Sequence, residues 1–273
     1  MPVSRSLRAA VTVIVTGATL LSLTAASEVR HHPKPVREGP AGPPARLPDG
    51  RVAAPPRLPA SMGRATDCPK PSYGAKFYAP GTGKTVALTF DDGPGRSTWQ
   101  ILRILRKYRV PATFFNLGDN EAVRQQDVRD EVKDGFVVGN HTWDHPDLAL
   151  LSASAQASEM DREIAEQYKI SHTRPCVFRP PYGDYNSTTL SLARARRMAV
   201  WLWSVDTQDW MADGSGSSYW VHRIISLAES EGGALTHPVV LMHNQPVGNP
   251  ATVSALPTII RFFQHNHYHF VSL

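Results

Sequence analysis

The chain has 273 residues, is 41% hydrophobic and carries a formal charge of +5 at neutral pH, which suits one large α/β domain, or two small ones with little left over. Residues 1–66 hold nine of the 29 Lys and Arg but three of the 24 Asp and Glu, so the remainder is net negative by one. The basic excess therefore sits outside the folded part, and the charge gives a nucleic-acid reading of that part no support.

Taken in chain order, residues 1–26 read as a secretory signal peptide. Arg5 and Arg8 open it, an apolar run from Ala9 to Leu23 follows, and Thr24, Ala25, Ala26 and Ser27 form a small-residue exit. The rival, an uncleaved anchor, is weakened by Thr12, Thr16, Gly17 and Ser22. Residues 27–66, with Pro43, Pro44, Pro55 and Pro56, cannot bury a core and read as a disordered linker. The folded domain is expected over 67–273. Export allows Cys68 and Cys176, 108 residues apart, to form a disulfide; two separate buried thiols are the alternative, because spacing supplies no geometry.

Residues 85–90 are apolar and β-branched and run into Asp91, Asp92, Gly93 and Pro94, a strand followed by a turn. Ser97 and Gln100 have capping-box spacing for a helix with Leu102, Ile104, Leu105 and Tyr108 on its apolar face; Pro111 stops it. Strands are predicted over 112–115 and 136–138, with a helix over 121–133 between them. A helix over 153–168, strands over 177–179 and 199–204, and a helix over 217–229 come next. A strand over 238–242, a helix over 253–264 and a strand over 269–271 complete the series. Such alternation implies a parallel sheet, open or closed into a barrel. Residues just past the C-terminal strand ends then share one face, and Asp91, Asp92, His141, Arg179, Asp206 and His243 all fall there.

His141 and His145 are four apart, a spacing that suits chelation of one metal on a helical turn. Two imidazoles and a carboxylate make a catalytic zinc set that leaves room for water. Asp91 and Asp92 are adjacent and cannot easily point the same way, so one can bind metal while the other works on water; a plain turn is the bland alternative. Arg179 can orient a carboxylate or sit in a surface ion pair. An Asp beside His243 would hold one tautomer and support its charged form, although His243 alone is as readily structural.

Together, TFDDGP at 89–94, HTWDH at 141–145, RPPY at 179–182, DTQDW at 206–210 and LMH at 241–243 resemble the five ordered motifs of the polysaccharide deacetylases (NodB homology domain, carbohydrate esterase family 4). The resemblance runs from about Thr85 to the C-terminus and implies a distorted (β/α) barrel with an open groove. It implies that Asp92, His141 and His145 bind a divalent metal, zinc first, with cobalt or nickel as substitutes. Asp91 would be the general base, held by Arg179, and His243 the general acid, oriented by Asp209. The Tyr182 N–H would help stabilise the oxyanion, and Trp210 and Leu241 would line the acetyl pocket. Asn244 stands where many family members carry Asp. The expected protein is a secreted or wall-associated monomer, without a membrane span after cleavage, acting on an acetylated polysaccharide or oligosaccharide such as chitin or peptidoglycan. Rival readings are an acetylxylan esterase of the same family, a metal phosphoesterase and a non-catalytic glycan-binding module.

Overall fold

The computed structural model describes residues 68–273; the expected signal segment, the linker and Asp67 lie outside the described residues. The strands are β1 (Ala75–Lys76), β2 (Thr85–Gly93), β3 (Thr113–Asn116), β4 (Val137–Asn140), β5 (Val177–Phe178), β6 (Ala199–Trp201), β7 (Val205–Asp206), β8 (Val239–His243) and β9 (His269–Phe270). Their order is β1-β6-β5-β4-β3-β2-β8-β7, with β9 against the start of β2. Every pairing between these strands is parallel. Parallel sheets are covered on both faces, and the alternation along each strand divides its side chains between two cores. Leu88, Phe90, Phe114, Val240 and Met242 face the outer cluster. Ala87 with Val239, and Phe115 with Val177 and Trp201, form two further clusters.

This is the expected distorted (β/α) barrel, a curled sheet that does not close. The open edges are β1 and β7, and the single strand expected over 199–204 is divided into β6 and β7. At residues 202–204 the chain changes partners: the Leu202 N–H bonds to the Lys76 carbonyl, the Ser204 N–H to that of Val239.

Helices α1 (Thr98–Tyr108), α2 (Gly118–Val123), α3 (Gln125–Lys133), α4 (Ala153–Ser171), α5 (Ser187–Ala195), α6 (Ser218–Gly233) and α7 (Pro250–His265) fill the connections. Three expectations need correction. The Ser97–Gln100 capping box does not form, because Ser97 Oγ instead accepts the Asn249 N–H at 2.7 Å, tying α1 to the loop before α7. The single helix expected over 121–133 is two, broken at Arg124. Finally, α5 was not anticipated, although Asn186 and Thr189 cap it reciprocally. Of the alternatives for the cysteines, the bridge is present: Cys68 is bonded to Cys176, tying the first described residue to the base of β5.

Candidate active site

Strand β2 delivers the adjacent aspartates. Asp91 stands opposite His243 of β8 in the parallel register and is 2% exposed. Asp92 would then point to the other face, but its backbone turns left-handed (φ 64°) and the register with β3 slips between Asp91 and Gly93. That turn, strained for a residue with a side chain, brings the Asp92 carboxylate round to the histidines. Its Oδ1 lies 3.4 Å from His141 Nε2 and 3.3 Å from His145 Nε2.

The two imidazoles are prepared as lone-pair donors. His141 Nδ1 is 2.6 Å from the Arg179 carbonyl. A carbonyl only accepts, so Nδ1 carries a proton and Nε2 is the nitrogen turned toward a metal. Burial pushes His145 down to about 4 against the upward pull of Asp92, so its ring is neutral near pH 7. Burial works to raise the Asp92 carboxyl, but His145 and His141 outweigh it and hold it well below the usual carboxylate range. Asp92 Oδ1 is buried without a hydrogen-bond partner. An orphaned carboxylate oxygen facing two imidazole nitrogens is costly, and a cation at their centre resolves it. Among the described residues, this trio is the one such set, with ligand atoms within 4.8 Å of each other.

Arg179 follows β5 and is fully buried. Its guanidinium donates to Asp91 Oδ1 at 2.7 Å, Thr89 Oγ1 at 2.9 Å, the Leu202 carbonyl at 3.0 Å and the Trp201 carbonyl at 3.2 Å. The last two acceptors lie at and just past the end of β6. The side chain therefore both fixes Asp91 and occupies backbone acceptors where the chain leaves β6 for β7. Burial lowers the guanidinium pKa and Asp91 pulls it back up; removing either partner would strand a buried charge.

His243 and Asp209 form a second unit. Asp209 Oδ1 accepts from His243 Nδ1 at 2.7 Å, while Oδ2 accepts the His243 N–H at 2.8 Å and the Thr252 hydroxyl at 2.6 Å. Burial would depress the ring's pKa, but the Asp209 charge and hydrogen bond overcome it and raise His243 to about 9. It is therefore protonated at neutral pH. Asp206, at the end of β7, lies beside this pair and accepts from the Gln208 N–H and the Trp210 indole.

The structure thus brings Asp91, Asp92, His141, His145, Arg179, Asp209 and His243 to one face. Tyr182 joins them, its ring edge-on to His145 with centroids 4.5 Å apart. Leu241 is two residues before His243 on the same strand and buried; Trp210 is half-buried. Asn244, also fully buried, donates its N–H to the Asp91 carbonyl and its amide to Thr98 Oγ1. Sequence reasoning missed Thr89, Asn140, Glu159 and Thr252. Thr89, which opens the TFDDGP stretch, and Asn140, directly before His141, had a signal in their positions; Glu159 and Thr252 had none.

A curled, open parallel sheet that carries an Asp-His-His set and a separate His-Asp pair at its C-terminal strand ends has the makings of a metal-assisted hydrolase of α/β type. The family described as "Polysaccharide deacetylase" matches residues 79–201. A peptidoglycan-N-acetylglucosamine deacetylase of Bacillus cereus is 32% identical over 203 residues, 74% of this chain and 71% of that protein. PgdA, the corresponding enzyme of Listeria monocytogenes, is 32% identical over 70% of this chain, which spans only 38% of that protein. The solved structure of the Bc1960 peptidoglycan N-acetylglucosamine deacetylase superposes with a TM-score of 0.67 at 32% identity, over 74% of this chain and 91% of that one. The chain belongs to the polysaccharide deacetylase family.

Proposed function

We propose that the protein is an exported, metal-dependent hydrolase that removes acetyl groups from an N-acetylglucosamine polymer, with peptidoglycan favoured over chitin. The observation that carries the reading is the convergence of Asp92 Oδ1, His141 Nε2 and His145 Nε2, three acceptor atoms that need a cation between them. Two nitrogens and a carboxylate oxygen match a catalytic zinc site, with cobalt or nickel as substitutes. Preference for peptidoglycan rests on the names of the relatives, and action on the wall agrees with export.

A metal bound there supplies Lewis acidity, acidifying water and polarising the acetyl carbonyl. The chain's own residues do the rest. Asp91, pinned at Oδ1 by Arg179, takes the proton of the attacking water at Oδ2. The Tyr182 N–H donates to the carbonyl oxygen as negative charge develops, a contribution of about 3 kcal/mol for such a donor. His243, protonated and held by Asp209, gives its proton to the sugar nitrogen as the carbon–nitrogen bond breaks, releasing acetate and the free amine. Trp210 and Leu241 line the space for the acetyl methyl.

Acetate release from peptidoglycan, chitin oligosaccharides and acetylated xylan, with and without chelator, tests this. Release from peptidoglycan that stops on chelation and returns with Zn²⁺ or Co²⁺ is expected. Full activity in metal-free protein would overturn the metal set; release from xylan alone would overturn the substrate.

A further inference from the structure

The five residues from His141 to His145 form no regular helix, so the bite of the two histidines depends on an irregular loop. Thr142 (φ 75°) and His145 (φ 64°) are both left-handed, a conformation that residues with a side chain hold only where the surroundings impose it. The hydrogen bonds show what imposes it. Thr142 N–H donates to Asn140 Oδ1 at 2.9 Å, and His145 N–H to Thr142 Oγ1 at 3.1 Å. Between them, the Trp143 and Asp144 N–H groups both donate to one oxygen, Glu159 Oε2, at 3.0 and 3.3 Å. Successive N–H groups converging on one carboxylate oxygen form an anion-holding nest.

Glu159 is on α4, 9% exposed, and the same helix anchors Asn140. Asn140 Nδ2 donates to the Met160 carbonyl at 3.0 Å and to Glu163 Oε2. Glu159 and Glu163 are one turn apart and face the loop together. From α2, which packs on α4, the Gly118 and Asp119 N–H groups donate to the Thr142 and Trp143 carbonyls, both at 3.1 Å. Trp143 closes the clamp: its ring lies against Gly118, where a Cβ would fall 2.5 Å from Trp143 Cε3, and under the Arg162 guanidinium at 4.2 Å.

We infer that Glu159 is a positioning residue for the metal site, setting the bite of His141 and His145 by gripping the two N–H groups midway between them, with Glu163 acting in the same sense through Asn140. Glu159 is not itself a ligand and does not reach the reacting atoms. This rests on the reading of Asp92, His141 and His145 as the metal set.

The test is Zn²⁺ affinity of the full chain, by competition with a chromophoric chelator, alongside the melting temperature of the metal-free protein. Glu159→Ala should weaken Zn²⁺ binding about 10–100-fold, the usual range for partners that orient ligands. Because both N–H groups meet a single oxygen, Glu159→Gln can present its amide oxygen in the same place and should stay within about threefold of wild type. A purely structural role would move the melting temperature without this split in affinity. Should the Ala variant not fold, Glu159→Asp, whose carboxylate is drawn back by one methylene, should lose at least about tenfold. Wild-type affinity in Glu159→Ala or Glu159→Asp, or a Gln variant no better than Ala, overturns the inference. A wild-type chain that takes up no Zn²⁺ overturns the metal set and the inference with it.

Discussion

Replacing Asp209 with Asn separates charge from shape in the His243 unit. The wild-type imidazole, raised to about 9, is roughly 97% protonated at pH 7.5. Without the carboxylate, the main remaining influence is burial, which lowers the ring from its ordinary 6.5. At 6.5 the charged fraction at pH 7.5 is about a tenth, so protonation state alone costs roughly tenfold. Geometry adds to this. Three donors meet two carboxylate oxygens at Asp209, whereas Asn offers one oxygen. If that oxygen keeps the His243 N–H and the Thr252 hydroxyl, the amide nitrogen faces His243 Nδ1 and donates to it, which opposes the doubly protonated imidazolium that the acid requires. The combined loss in kcat should be on the order of 10²–10⁴, and the alkaline limb of the pH–rate profile should move down by about two units or more. Groups that act as a unit are non-additive, so adding Asp209→Asn to His243→Ala should cost little more. Steady-state acetate release between pH 5 and 10 for the four proteins measures all of this. An unmoved alkaline limb with strictly additive losses would refute the reasoning and leave Asp209 as a support for the loop before α7.

Two further substitutions test neighbouring features. Asp91→Asn should retain Zn²⁺ yet lose orders of magnitude in rate, while Asp92→Asn should weaken Zn²⁺ binding itself; equal metal depletion in both, by elemental analysis, would contradict the division of labour. Glu131 is fully buried, with Asn116 Nδ2 donating to it at 2.8 Å, and burial pushes it up to about 8, aided by Asp127 and Asp130. Its folded pKa exceeds the ordinary 4.5, so the folded state holds the proton more tightly, and this stability is lost as pH rises from 4.5 through about 8. Glu131→Gln should therefore melt closer to wild type at pH 5 and hold a higher melting temperature at pH 9; parallel curves would refute it.

The reactive strand ends were legible because a parallel sheet gathers them whatever its curvature, and the βα alternation already implies such a sheet. What stayed hidden depends on contacts between segments rather than on local pattern. Adjacent aspartates were expected to point apart because an extended strand alternates its side chains; one left-handed residue at Asp92 alters that alternation and turns its carboxylate to the histidines. The helix over 121–133 concealed its break because Glu121 and Glu131, which pattern assigns to solvent, are fully buried against Asn116. Ser97 had the right chemistry for a cap and spent it on Asn249, 152 residues away. Glu159 was hidden for the same reason. A glutamate on an amphipathic helix reads as solvated surface, and only the return of α4 across the His141–His145 loop makes it an acceptor for that loop's backbone. Motifs identify the atoms that would touch a metal, whereas the groups that hold those atoms at a workable distance come from whichever element packs behind the loop. Substitutions on the buried face of α4 should therefore act on metal affinity before they act on chemistry.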